Sequence, residues 1–542
     1  MAQIIVNDLS FSYDTAYDMI FENVSFQIDT DWRLGFIGRN GRGKTTFLNL
    51  LLGRYEYRGS ITASVSFDYF PFEIEHQDRI TMEVAKDIIA PFRQWEKEME
   101  RCLALHQKGE VSDTESGPEV AGVCNYIERY GELQELYQKH DGYIIEELLL
   151  KELGKLNVED SVLTRAFKTL SFGERTKIML AALFLKKNNF LLIDEPTNHL
   201  DMEGRELLAD YLQTKKGFIL VSHDRAFLDK CIDHVLSINR TNIEVQKGNY
   251  SSWHHNKTLK DNFEMEKNRQ LQKDIASLSA AARRTAGWSD KIEASKIGSH
   301  VGDRGFVGHK AAKMMKRAKA IESRKQEAIE DKKELLKDIE QADSLKMNIL
   351  PFHSKRLIEL EDVSLLYGSN EIATHIDLLV REGDRVAVRG KNGSGKSTLF
   401  KLLLGEDIKH IGNVFIAQGL KISYVSQDTS YLDGSLKDFA FRYGLDETIF
   451  KTVLRQLDFE RGQFDKDIRD FSQGQKKKVL LAKSLSEPAH LFLWDEPLNF
   501  IDVFSRVQIE ELITAYKPTI VFVEHDRVFT ENIATKKIHL RI

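Results

Sequence analysis

The chain has 542 residues, 42% of them hydrophobic and 30% charged, with a formal net charge of −6; this fits soluble globular domains, three or four of them by length. Met1–Asp8 carries no basic segment followed by a long apolar run, and eighteen apolar residues never occur in succession, which argues against a secretory leader and a membrane span. The three cysteines, Cys102, Cys124 and Cys231, have no paired spacing, so neither a disulfide framework nor a zinc site is expected, and reduced thiols in the cytosol are.

In chain order, Gln3–Phe11 alternates like an edge strand, and Val24–Ile28 reads as another. Leu34–Ile37 then runs into Gly38-Arg39-Asn40-Gly41-Arg42-Gly43-Lys44-Thr45 and a helical stretch from Thr46 to Leu52. In such a strand, glycine loop and helix, the amides of Gly38, Asn40, Gly41 and Gly43 turn inward around a triphosphate. Lys44 puts a positive charge between the terminal phosphates, the Thr45 hydroxyl can ligate magnesium, and Thr46 opens the helix whose N-terminus faces the anion. After a strand-like Ser66–Pro71, the segment from Phe92 to Leu156 places Trp95, Met99 and Leu103, and later Leu133, Leu136, Tyr137, Leu148, Leu149 and Leu153, at helical intervals. A polar stretch, Lys108–Gly122, divides them, so residues 92–156 are expected to form an inserted helical arm. Phe190–Ile193 is an apolar run typical of a buried parallel strand, and it ends in Asp194 and Glu195. There Asp194 is placed to hold magnesium through water and Glu195 to orient or polarise the attacking water.

Residues 253–350 resemble neither flank. Leu271, Ile275, Leu278 and Ala282, then Met314, Ala318, Ile321, Ala328, Leu335 and Ile339, recur at spacings that predict two helices, each burying one stripe against the other. Lys296–Gly308 is too rich in glycine to continue a helix, which makes a hairpin with a tip at about 296–309. From Ala280 to Lys325 basic side chains outnumber acidic ones by roughly three to one, a local excess suited to nucleic acid.

From Leu357 the first plan returns: Tyr367, Gly390-Lys391-Asn392-Gly393-Ser394-Gly395-Lys396-Ser397-Thr398, Gln427, Phe471-Ser472-Gln473-Gly474-Gln475, Leu491–Glu496 with Asp495 and Glu496 at its end, Asn499–Asp502, and Glu524-His525-Asp526. This is a tandem duplication. The expected fold is α/β, two P-loop ATP-binding domains at 1–252 and 351–542 joined by the helical hairpin at 253–350.

Leu170-Ser171-Phe172-Gly173-Glu174, Asn198-His199-Leu200-Asp201 and Val221-Ser222-His223-Asp224, in that order, resemble the signature, D-loop and switch histidine of ATP-binding cassette ATPases. The resemblance implies ATP and Mg2+ as ligands and two shared sites. Ser171 and Gly173, or Ser472 and Gly474, would touch the nucleotide of the opposite cassette, His223 and His525 the terminal phosphate, and Tyr13 and Tyr367 the adenine. Gln427 matches the family's glutamine, whose side chain contacts magnesium and water, beside Thr45, Ser397, Asp194 and Asp495; the first half has Phe72 there, which implies slower hydrolysis.

Over essentially the whole chain, the arm, the hairpin and Gly248-Asn249-Tyr250 resemble the ABC-F proteins, translation factors that bind the ribosome. Arg284-Thr285-Ala286-Gly287-Trp288-Ser289, Gly305–Arg317 and Pro497–Asp502 look like the members that protect against lincosamides, streptogramin A and pleuromutilins. The resemblance implies a cytoplasmic, ribosome-associated monomer whose cassettes pair within the chain. Its partner would be the bacterial 70S ribosome, with 23S rRNA and peptidyl-tRNA, and no membrane domain. The hairpin would reach from the exit-tRNA site toward the peptidyl-transferase centre and displace the drug, with the tip deciding the drug spectrum. A housekeeping factor without drug protection and a transporter ATPase subunit are the alternatives. A double-cassette repair ATPase would carry zinc-ligand cysteines that this sequence lacks.

Overall fold

The computed structural model describes residues 3–13, 19–109, 126–198, 200–239, 242–294, 345–367, 370–391, 393–459 and 461–540, together with Lys316, Ser323 and Arg324. The chain forms two compact units, Met1–Ser251 with Asp343–Ile542, and Ser252–Ala342.

Within the first unit the duplication is visible strand by strand. One six-stranded sheet runs in the order Ser66–Phe70, Asn189–Asp194, Phe218–Val221, Arg33–Ile37, His234–Asn239, Asn242–Lys247. All of its pairings are parallel except the last, which is antiparallel. The second half repeats it as a five-stranded parallel sheet, Ile422–Val425, Leu491–Asp495, Ile520–Val523, Arg385–Arg389, Lys536–His539. Near-continuous apolar runs such as Phe190–Ile193 and Phe492–Trp494 are buried on both faces, as strands covered by helices must be. The acid pairs Asp194-Glu195 and Asp495-Glu496 fall at the carboxyl ends of these strands, where open α/β sheets generally place their ligands.

Each half also has a three-stranded antiparallel sheet. Here the expectation for Gln3–Phe11 is corrected: it is the central strand, paired with Phe21–Asp29 on one side and Arg58–Ala63 on the other. Its alternation reflects one buried face, with Ile4, Val6 and Leu9 wholly buried, and a half-buried central strand alternates just as an edge strand does. Arg356–Tyr367 holds the same place in the second half, between Asn370–Arg381 and His410–Ile416.

The insertion consists of helices Phe92–Gly109, Tyr126–Lys139 and Ile145–Lys155. Phe92 is buried and meets Trp95 and Tyr137 edge-on, and Tyr137 Oη donates to Glu96 Oε1 at 2.8 Å. The polar divider falls largely outside the described residues.

A helix from Tyr250 to Ala294 makes up most of the described part of the second unit and runs for 45 residues, roughly 65–70 Å at 1.5 Å per residue. It contains no proline and one glycine, Gly287, so nothing local breaks it. The expected tip at 296–309 lies outside the described residues. So does the expected second helix, apart from Lys316, Ser323 and Arg324, which are helical. Among the described residues no helix is long and apolar enough to cross a membrane.

Candidate functional site

Both glycine loops enter a helix, Lys44–Leu51 or Lys396–Leu403, through a glycine in left-handed conformation, Gly43 at φ 88° and Gly395 at φ 83°. Only glycine takes such values without strain, and a Cβ at Gly43 would also come within 2.5 Å of Ile20. Neither helix has a side-chain cap, so its first amides are left to an anion. Lys44 Nζ donates to the carbonyls of Gly38 (2.7 Å) and Arg39 (3.0 Å), and Lys396 Nζ to those of Gly390 (2.9 Å) and Lys391 (3.0 Å). Burial lowers the pKa of both ammonium groups, opposed by Asp502, Glu195 and Asp194 around Lys44 and by Glu496, Asp495 and Asp201 around Lys396. The Tyr13 hydroxyl lies 2.9 Å from Thr46 Oγ1, Tyr367 closes its strand, and Asn392 lies outside the described residues.

The paired acids end equivalent strands, and both glutamates are left-handed, Glu195 at φ 50° and Glu496 at φ 48°. Non-glycine residues at such angles are uncommon and collect where function demands the geometry. Around them the halves differ. In the second, Ser397 Oγ donates to Asp495 Oδ2 at 2.8 Å, and Gln427 Nε2 donates to Glu496 Oε2 at 3.0 Å. Asn499 Nδ2 donates to the same oxygen, and His525 Nε2 lies 3.1 Å from Glu496 Oε1. Burial pushes the Glu496 carboxyl up, but His525, Lys396 and Lys477 outweigh it and hold the group below its ordinary value.

In the first half Thr45 Oγ1 and Tyr69 Oη donate to Asp194 Oδ2 at 3.2 and 3.0 Å, and His223 Nε2 is 3.4 Å from Glu195 Oε1. Burial and the adjacent Asp194 push Glu195 up to about 8 against Arg506 and Lys44. His223 is held well below its usual range by burial and then by Lys44 and Arg506. Strand register explains the contrast: Phe70 pairs with Ile193 and Val425 with Trp494, so Phe72 and Gln427 hold the same place two residues on.

The two halves meet at these loops. Ser171, Gly173 and Asp201 of the first half and Gly393, Gly395, Lys396, Ser397, Thr398, Gln427, Glu496 and His525 of the second line one cavity of about 760 Å³. At the other pairing the loops touch. Asn40 Nδ2 donates to the Phe500 carbonyl at 2.8 Å, and a Cβ on Gly474 would meet that carbonyl at 2.6 Å and Asn40 Nδ2 at 3.1 Å. Arg39 there lies 3.6 Å from Asp458 and stacks over Phe504. Ser171 and Ser472 each cap their helix in a capping box with Glu174 and Gln475. Arg225 bonds Glu510 at 2.6 Å across the halves.

Sequence reasoning missed Tyr69, Asn499 as a partner of Glu496, and Asp458. For Tyr69 a signal existed, since Tyr424 occupies its register position in the repeat; Asp458 meets Arg39 through tertiary structure alone. Magnesium fits the donor set: a hydroxyl and a carboxylate converge at each loop, and Asp495 Oδ1 is buried with no hydrogen-bond partner among the described residues.

The ABC transporter family model matches residues 21–198 and 373–499. The ribosome protection protein VmlR of Bacillus subtilis is 30% identical over 390 residues, 69% of this chain and 69% of VmlR. The chain is a tandem ABC ATPase of the ABC-F family. Other relatives span it more fully: the ATP-binding protein Uup of Buchnera aphidicola is 25% identical over 547 residues, covering 99% of this chain and 80% of Uup. For the fold alone, the ABC-F chain superposes on the structure titled RNase-L Inhibitor with a TM-score of 0.57, at 16% identity over 98% of this chain and 87% of that one.

Proposed function

We propose that this ABC-F protein hydrolyses ATP to ADP and phosphate at two composite sites and uses the ATP-bound state to protect the ribosome from antibiotics. The observation that carries the enzymatic part is the cavity lined by Ser171 and Gly173 of one half and Lys396, Ser397, Gln427, Glu496 and His525 of the other. Such a site is complete only when the halves are together, which makes nucleotide a clamp on the pair. Lys44 and Lys396, with the loop amides, hold the phosphates; Ser171, Gly173, Ser472 and Gly474 touch the nucleotide from the opposite half; Tyr13 and Tyr367 face the base. Thr45 and Asp194, and Ser397, Asp495 and Gln427, would hold Mg2+, which when bound neutralises charge building on the transferred phosphoryl group. Glu195 and Glu496 orient the attacking water in line, and His223 and His525 hold the terminal phosphate, so catalysis is alignment and charge stabilisation.

For the ribosome, the reading is supported by the 30% identity to a ribosome protection protein and by the 45-residue helix that follows the first cassette. The closed protein binds the bacterial 70S ribosome at the exit-tRNA site. Its hairpin meets 23S rRNA and the peptidyl-tRNA end, the tip at about 296–309 dislodges the drug from the peptidyl-transferase centre, and hydrolysis permits release. It acts as a monomer in the cytoplasm. Co-sedimentation tests this: E195Q/E496Q protein with ATP is expected to pellet with 70S ribosomes at least several-fold more than wild type with ADP. Equal pelleting in both states would contradict a nucleotide-gated ribosome binder. A raised inhibitory concentration of lincomycin or tiamulin in a host carrying the chain separates protection from a housekeeping role.

A further inference from the structure

Lys477 lies in the helix Gln473–Ser486 and is 2% exposed. A buried ammonium group is costly unless it is satisfied. Here its acceptors are main-chain: Nζ donates to the Ser426 carbonyl at 2.8 Å and reaches the Asp495 carbonyl at 3.5 Å. Those carbonyls belong to the residues just before Gln427 and Glu496, whose side chains bond to each other at 3.0 Å. Ser426 and Asp495 end neighbouring segments, Ile422–Val425 with its following loop and Leu491–Asp495, so one side chain spans the gap between the two chain ends that carry the water-handling groups. In the first half, counting equally from the capping serines Ser171 and Ser472, the place is held by Thr176, and Ser426–Gln427 is replaced by Pro71–Phe72. The cation and the glutamine are therefore both present in one half and both missing from the other.

We propose that Lys477 is a positioning residue of the second ATP site, clamping the Ser426 and Asp495 carbonyls so that Gln427 and Glu496 are held in register for the attacking water. It touches neither nucleotide nor water; it fixes the separation of the groups that do. The first site lacks the clamp together with the glutamine it would align. This inference rests on the reading of the second site as a hydrolytic one, and it names as a determinant of its rate a residue that lies past the Ser472–Gln475 segment and touches the site only through main-chain carbonyls.

The test uses full-length protein in an E195Q background, where turnover comes from the second site. K477M, isosteric but unable to donate, is expected to lower kcat about tenfold or more, with the Kd for a fluorescent ATP analogue within about twofold. K477R, which retains length and donors, is expected to recover a substantial part of kcat, and the shorter K477Q less of it. Two results would overturn the proposal: an unchanged kcat in K477M, or a loss in all three variants that follows their loss of nucleotide binding, as a purely structural role requires. If K477M does not fold, the comparison of K477R with K477Q decides: kcat lower in K477Q than in K477R at equal Kd supports the clamp, since the shorter amide cannot span both carbonyls, and equal kcat in the two contradicts it. No turnover in the E195Q parent would instead overturn the two-site reading and this inference with it.

Discussion

At the scale of single residues, the two glycine loops share their lysine and hydroxyl, and the halves differ in the partners of the glutamate that follows the buried strand. Glu496 accepts from Gln427 and Asn499 and faces His525. Glu195 has Phe72 in place of the glutamine, and its carboxyl is pushed up to about 8 by burial and Asp194. A glutamate that burial and Asp194 bias toward its protonated form, with no glutamine donor at the equivalent register place, is poorly placed to order water. E496Q protein, which relies on the first site, is therefore expected to turn over ATP several-fold more slowly than E195Q protein; equal steady-state rates would contradict the asymmetry. Most of these residues were legible in the sequence, because a phosphate loop and a strand-end acid pair are local patterns. Tyr69 was signalled only by Tyr424 at the same register in the repeat, Asn499 meets Glu496 through the local turn after the strand, and Asp458 depends on how the halves meet.

At the scale of elements, the inserted arm is tied to the first half by its last helix. Glu152, on Ile145–Lys155, accepts from Tyr211 Oη at 2.8 Å, from Lys155 at 2.7 Å and from Lys215. Burial pushes this carboxyl up, but those three donors outweigh it and bring it from the ordinary 4.5 down to about 2. A depressed acid stabilises the fold above its unfolded value and loses that contribution as pH falls through the folded one. E152Q is accordingly expected to cost ~1–3 kcal/mol at pH 7. Thermal midpoints should show the gap to wild type narrowing as pH falls from 4.5 toward 2, and a constant gap would contradict the assignment. The helical character of the arm could be read from its apolar spacing. The central place of Gln3–Phe11 could not, because one buried face gives the same alternation to a central and an edge strand.

At the scale of the molecule, the duplicated motifs were enough to give two cassettes and a helical connection. What sequence left open is how closely the halves engage: one pairing encloses about 760 Å³ while the other is in contact through Asn40 and Phe500. On the proposed function, two unequal sites in one chain would make closure conditional on nucleotide and let one site govern reopening. The proposed function adds a mechanical output through the long helix Tyr250–Ala294, with its direction taken from the 30% identity to VmlR. The most direct test is translation in a purified bacterial system, with lincomycin, tiamulin or chloramphenicol titrated in the presence and absence of this protein and ATP. The account predicts that wild-type protein shifts the inhibitory concentration of lincomycin or tiamulin upward and that K44A/K396A protein does not; no shift with wild type for any of the three drugs would contradict ribosome protection.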